Sequence, residues 1–315
     1  MRKLRIGVID LVTKGPTRAL YARVMYANLA SIMPQVIAVW CEEEGHEVTF
    51  ICYTGFESLV EELPDRVDLV FIGAFTEAGQ LAYALSHLFR SRGAVTALGG
   101  PHARSYPQDA RLYFDYVVGF TDKTVIREVL QDCSQHRPLG VSVAAKQQPR
   151  TLPGVRERWK FIEPTLQKAP LVKIVPMLGS LGCPYTCSFC IDSIVPYQPL
   201  ELDVIKEDLR FLLKKFRRPR IGWHDPNFGV QFNDIMRPMV ATSWQPVANR
   251  TASSRSPAWG KCSERIGDLF SLLRECVIDK VCDDVRVGIQ QDKLVADKAI
   301  LHAPKGRAVW QIRSG

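Results

Sequence analysis

Cys183, Cys187 and Cys190 stand four and then three positions apart in the run Gly182-Cys183-Pro184-Tyr185-Thr186-Cys187-Ser188-Phe189-Cys190. Thiolates are soft ligands that select iron-sulfur clusters, zinc or copper, and a 4Fe-4S cubane held by three of them keeps one iron open to a non-protein ligand. Structural zinc normally closes with a fourth cysteine or histidine. The nearest later candidate, His224, lies far along the chain. A redox pair with a spare thiol, or buried structural cysteines, are the other readings. The ligand count favours the cluster.

The same run, with an aromatic residue just before its last cysteine, resembles the signature loop of the radical S-adenosylmethionine superfamily. That resemblance implies a 4Fe-4S cluster on Cys183, Cys187 and Cys190 and reductive cleavage of S-adenosylmethionine to a 5'-deoxyadenosyl radical. It places Phe189 near the adenine. Downstream, His224-Asp225-Pro226-Asn227-Phe228-Gly229 is similar to the turn at the second strand end where cobalamin-type members grip the cofactor's amino group. Asp225 and Asn227 inherit that role through the resemblance. A carboxylate with backbone carbonyls suits an ammonium, although an Asx-type turn capping a helix would also use these residues.

The elements that must position these residues fall into two parts. Residues 1–133 alternate short apolar runs with helical patterns, as a parallel sheet with crossover helices does. Five strands are expected, at Leu4–Leu11, Val48–Tyr53, Asp68–Phe75, Ala94–Leu98 and Tyr116–Phe120, with amphipathic helices at Gln80–Arg90 and Lys123–Leu130. The layout is α/β, flavodoxin-like or Rossmann-like, and ligands of such sheets bind beyond the carboxyl ends of the strands. Residues 134–170 carry Pro138, Pro149, Pro153, Pro164 and Pro170 and read as a linker. Leu171–Met177 then forms the first strand of a partial (β/α) barrel, a helix follows across Glu201–Phe216, and a second strand runs near Arg220–Trp223.

The expected strand ends are rich in small residues: Gly73 and Thr76 after the third, Gly99, Gly100 and His102 after the fourth, Gly119 at the fifth. The Gly-Gly-Pro-His-Ala turn, with Asp115-Tyr116-Val117-Val118-Gly119 downstream, resembles the cobalamin-binding domain that precedes many radical S-adenosylmethionine domains. The resemblance implies that these turns face the corrin. Asp10-Leu11-Val12-Thr13-Lys14-Gly15 is similar to the cobalamin motif Asp-x-His-x-x-Gly, with Val12 where the cobalt-ligating histidine would stand. A base-off cobalamin without a protein histidine ligand is therefore expected, and His102 is its weaker rival as a ligand. The domain departs from its family at Gly119-Phe120-Thr121-Asp122, where a Gly-Glu-Gly-Glu-like run is usual.

Composition narrows the class. Nine cysteines are spread through 315 residues without a tight even-spaced framework, which fits a reducing compartment and a cytoplasmic protein. There is no export-type apolar segment and no apolar stretch near 18 residues. Lys and Arg against Asp and Glu count 13 to 16 over residues 1–133, 16 to 9 over 134–240 and 12 to 8 over 241–315. The net charge of +8 thus belongs to the second half. Without an aromatic-interleaved basic motif, a solvated face explains it better than nucleic acid.

Beyond residue 240 the strand-helix alternation fails. Ala241–Gly260 is rich in Ser, Arg and Pro, Cys262–Lys280 has helical character, and Cys262, Cys276 and Cys282 are too widely spaced for a second cluster. Residues 241–315 read as a divergent tail, which a truncation or a shift of reading frame would produce.

The resemblances together imply a corrinoid radical S-adenosylmethionine enzyme, akin in architecture to the corrinoid radical methyltransferases and the anaerobic magnesium-protoporphyrin ester cyclase. Methyl transfer to an unactivated carbon, a small-molecule, lipid or tetrapyrrole-like substrate and a reducing partner such as flavodoxin or ferredoxin follow as expectations. A cobalamin-independent radical oxidation or rearrangement, and a cofactor-binding fragment that does not turn over, are the alternatives.

Overall fold

The computed structural model describes residues 2–12, 30–59, 61–133, 139–169, 173–216, 219–226 and 230. Asn227, the Lys14-Gly15 end of the cobalamin-like motif, Pro138, Pro170 and the whole tail after residue 240 lie outside the described residues.

The first part is a six-stranded sheet in the order β2-β1-β3-β4-β5-β6, every neighbouring pair parallel. Its strands are β1 (Arg5–Leu11), β2 (Glu47–Tyr53), β3 (Leu69–Ala74), β4 (Val95–Gly99), β5 (Tyr116–Val118) and β6 (Val141–Val143). The first five fall where the apolar runs predict them. Successive side chains leave opposite faces of a strand, and here both faces are covered. Ile6 and Val8 of β1 with Leu69 and Phe71 of β3 pack on one side, against α1 (Ile32–Glu43) and α5 (Lys123–Cys133). Ile9, Leu11, Val70 and Ile72 pack on the other, against α2 (Gly79–Ser91), and two short helices, α3 (Pro101–Ser105) and α4 (Pro107–Ala110), follow β4. Burial on two sides is what makes these strands near-continuous hydrophobic runs.

The proline-punctuated stretch read as a linker contains structure. β6 extends the sheet at its edge, and α6 (Val155–Lys168) packs Val155, Ile162 and Leu166 against the second part. Pro164 sits inside α6. An internal proline costs roughly 3 kcal/mol, and burying three aliphatic side chains at roughly 2 kcal/mol each offsets it.

The second part is smaller. β7 (Val175–Met177) pairs in parallel with β10 (Ile221–Trp223), joining Val175 to Ile221 and Met177 to Trp223. Between them runs α7 (Leu202–Lys215), whose Ile205, Leu209 and Leu212 recur at helical spacing and are buried with Val175, Met177 and Ile221. β8 (Ser180–Leu181) and β9 (Gln198–Pro199) form an antiparallel clip at the base of the cysteine loop. Among the described residues this is one strand-helix-strand unit with α6 against it, so the α/β class stands, and the further units expected of a partial barrel fall outside the described residues.

Candidate functional site

At the carboxyl edge of the large sheet the register sets Asp10 beside Gly73 and Gly73 beside Gly99. The strand order reverses direction between β1 and β3, the topological position at which open parallel sheets bind ligands. The glycines there have different reasons for being small. A Cβ on Gly73 would lie 2.9 Å from Pro34 Cγ, and one on Gly119 would lie 3.0 Å from Ala144 Cβ. Gly100 adopts φ +92°, and its Cβ would meet the Ala74 carbonyl at 2.8 Å. Gly99 alone of these four has no atom within 4 Å of an added Cβ. Gly99 thus faces open space, and Phe75 and Thr76, just beyond the end of the neighbouring β3, are exposed.

His102 faces elsewhere. Its imidazole is buried, its Nε2 lies 2.8 Å from the Tyr83 hydroxyl, and a Cβ on Gly79 would come within 2.5 Å of that nitrogen. Burial lowers its pKa and favours the neutral ring. It braces α2 against the turn after β4.

The cysteine loop begins at the carboxyl end of β7. Gly182 opens it at φ +68°, where its Cβ would lie 2.4 Å from the Pro196 carbonyl and 2.7 Å from that of Val195. Only glycine admits so close a return of the chain in a left-handed conformation. All three thiols are free; Cys187 is exposed, and Cys183 and Cys190 are part-exposed. The Cys190 amide donates to the Cys187 carbonyl at 3.1 Å, and the Cys190 carbonyl accepts from the Ser193 amide at 3.2 Å and hydroxyl at 2.6 Å. Phe189 and Tyr185 project to solvent, 76% and 56% exposed. Among the described residues no three Cys, His, Asp or Glu side chains are grouped as one metal ion would need. A cubane takes each thiolate on a different iron, and three accessible soft donors on one loop fit it.

Asp225 follows β10 and turns toward the base of that loop. Its carboxylate accepts from the Gly179 amide at 3.0 and 3.1 Å and from the Ser180 hydroxyl at 2.7 Å. Burial raises its pKa against these hydrogen bonds. Tyr197, at the returning end of the loop, lies beside Ser180. Burial raises the phenol's pKa, and the negative charges of Asp225 and Cys183 add to that. One further contact joins the two parts, an ion pair between Arg104, in the turn after β4, and Asp192, two residues past Cys190.

The structure therefore sets Cys183, Cys187, Cys190 and Phe189 on the loop after β7, with Asp225 after the neighbouring β10 bound to that loop's base, and Gly73, Thr76, Gly99, Gly100 and Gly119 along the sheet edge, with His102 turned inward. Tyr197, Ser180, Arg104 and Asp192 were not foreseen. Arg104 and Asp192 each lie two residues beyond a singled-out residue, which is the one sequence signal they give.

Fold and site define a parallel α/β protein with a three-thiol loop beyond a second, smaller parallel pair. No protein-family model matches the chain. It is similar to two curated proteins of Chlorobaculum tepidum. One is a bacteriochlorophyllide d C-8(2)-methyltransferase, 26% identical over 130 residues, which are 39% of this chain and 28% of that protein. The other is a bacteriochlorophyllide d C-12(1)-methyltransferase, 23% identical over 189 residues, 59% of this chain and 41% of that protein. The matched stretch thus spans less than half of either relative.

Proposed function

We propose that this chain is a radical S-adenosylmethionine enzyme of the corrinoid-dependent kind, acting in methyl transfer to an unactivated carbon of a tetrapyrrole-like molecule. The observation that carries the reading is the loop of three free, accessible thiols at the carboxyl end of β7. The naming of both relatives as methyltransferases of a tetrapyrrole supports the reaction class and the substrate class.

In this reading Cys183, Cys187 and Cys190 hold a 4Fe-4S cluster as thiolates. Such a cluster supplies reductive cleavage of S-adenosylmethionine, and a corrinoid supplies the transferable methyl group. The chain's own contribution is geometric. Gly182 lets the loop close on Pro196, so that the three sulfurs stand on a fixed base with their outer sides open to cofactor and to an electron donor of the flavodoxin or ferredoxin class. Phe189, beside the last ligand, lies near the adenine mostly through its backbone. Gly99 and the turn after β4 give a corrin a flat backbone surface.

Anaerobic reconstitution with iron and sulfide, followed by assay of reductant-dependent 5'-deoxyadenosine release, tests the proposal. Release by the chain and its loss in Cys187→Ala are the expected results. A chain that assembles no cluster overturns the assignment, and a chain that holds a cluster yet releases no deoxyadenosine beside an active control points to the fragment alternative.

A further inference from the structure

Resting on that reading, we infer that Asp225 is a positioning residue: it anchors the base of the cysteine loop to the neighbouring strand instead of binding the ammonium group of S-adenosylmethionine. The loop is a closed excursion. It leaves at Ser180–Leu181 and returns at Gln198–Pro199, with Ser180 opposite Pro199 and Leu181 opposite Gln198. The Leu200 amide adds a bond to the Gly179 carbonyl at 3.0 Å. That clip is two residues long on each side, which is short for a strand pair that must hold three ligands in place.

Asp225 supplies what the clip lacks. Both carboxylate oxygens accept from the Gly179 amide, and one also takes the Ser180 hydroxyl. An ionised carboxylate has about four lone-pair sites, and both of its oxygens are engaged here with the segment that leads into the loop. An ammonium drawn directly onto either oxygen would compete with a bond that holds the loop base. β10 is in turn fixed to β7 in parallel register, and the His224 amide donates to the Met177 carbonyl at 2.9 Å. The anchor therefore ties the loop to the sheet next door. Tyr197, on the returning chain, lies beside Ser180, so the hydroxyl held by Asp225 sits between the two ends of the loop.

The test uses the full chain and two variants, Asp225→Ala and Asp225→Asn. An asparagine oxygen still accepts from Ser180 and Gly179, while the charge is gone. In the metal-free, reduced chain, amide hydrogen exchange at Gly179 should quicken about tenfold or more in Asp225→Ala, the scale of losing charge-assisted bonds. Exchange in Asp225→Asn should change less, and β1 and α7 should exchange as in the wild type, which reports intact folding. Unchanged exchange at Gly179 overturns the inference. After reconstitution, Asp225→Ala should hold less than half the wild-type iron and Asp225→Asn most of it. Added S-adenosylmethionine should alter the electron paramagnetic resonance spectrum of the reduced Asp225→Asn cluster as it alters the wild type. A full cluster in Asp225→Asn with no response to S-adenosylmethionine overturns the inference in favour of direct cofactor contact. If the wild type assembles no cluster while exchange still quickens in Asp225→Ala, the proposed function fails and the anchor stands.

Discussion

Arg104 pairs with Asp192 at 3.2 Å, joining the turn after β4 to the short helical segment Ile191–Ile194 behind Cys190. Both side chains are largely enclosed, and the guanidinium also lies 5.9 Å from the centre of the Phe120 ring. The contact spans 88 residues of sequence and is where the proposed corrin-facing turn and the proposed cluster loop hold each other in register. A double-mutant cycle of Arg104→Ala and Asp192→Ala, read by urea unfolding, should give a coupling of roughly 1 kcal/mol. A coupling near zero would show that the two parts are held together without this pair.

The glycines after β4 offer a sharper separation of stability from binding. Gly100→Ala forces a side chain into φ +92° and against the Ala74 carbonyl. It should cost roughly 1–3 kcal/mol and lower Tm by several degrees. Gly99→Ala adds a methyl group to open space, so Tm should stay where it is. If a corrin lies on this edge, that methyl group stands between backbone and ring, and hydroxocobalamin titration should show affinity about tenfold weaker or worse. Equal affinity in Gly99→Ala would remove the corrin from this edge.

What the sequence revealed and what it hid have physical causes. β1, β3 and β4 are legible because they are buried on both faces, so that apolar residues such as Ile9, Ile72 and Leu98 dominate each run despite Asp10 in β1 and Thr96 in β4. β6 is invisible because its Val141 and Ser142 are exposed at the sheet edge and carry no apolar pattern. α6 is masked by Pro153 and Pro164, which read as breaks although packing of Ile162 and Leu166 keeps the helix intact. The cysteine ligands were legible because their spacing is local. The partners of Asp225 lie 45 and 46 positions away across a strand pairing, and no spacing rule reaches them.

His102 gives a prediction about cobalt. Its Nε2 is engaged with Tyr83 and its ring is packed on Gly79. A bound corrinoid should therefore keep the same visible spectrum, base-off and without a histidine ligand, in the wild type and in His102→Gln. The substitution should lower Tm modestly through loss of the Tyr83 contact. A spectral change on binding that His102→Gln abolishes would mean that the imidazole leaves Tyr83 for the metal.

Asp10 should give the fold a pH dependence of unusual sign for a carboxylate. It is 1% exposed, accepts the Ser31 amide at 2.7 Å where α1 begins, and has the Cys52 thiol at 3.8 Å. Burial outweighs these hydrogen bonds and pushes its pKa up to about 6. Below about pH 4 the group is protonated whether the chain is folded or not. Between about 4 and 6 the folded chain keeps a proton that the unfolded chain has released, so stability falls as pH rises, by roughly 3 kcal/mol once the folded group has ionised. Asp10→Asn keeps an acceptor for the Ser31 amide and removes the titration. Urea unfolding from pH 4.5 to 7.5 should then show the wild type losing stability relative to Asp10→Asn as pH rises, with most of the loss before pH 7. Asp208, also pushed up to about 6 by burial, titrates in both chains and cancels in the difference. Parallel curves across that range would mean that the carboxylate is already ionised in the folded chain, with its hydrogen bonds outweighing burial.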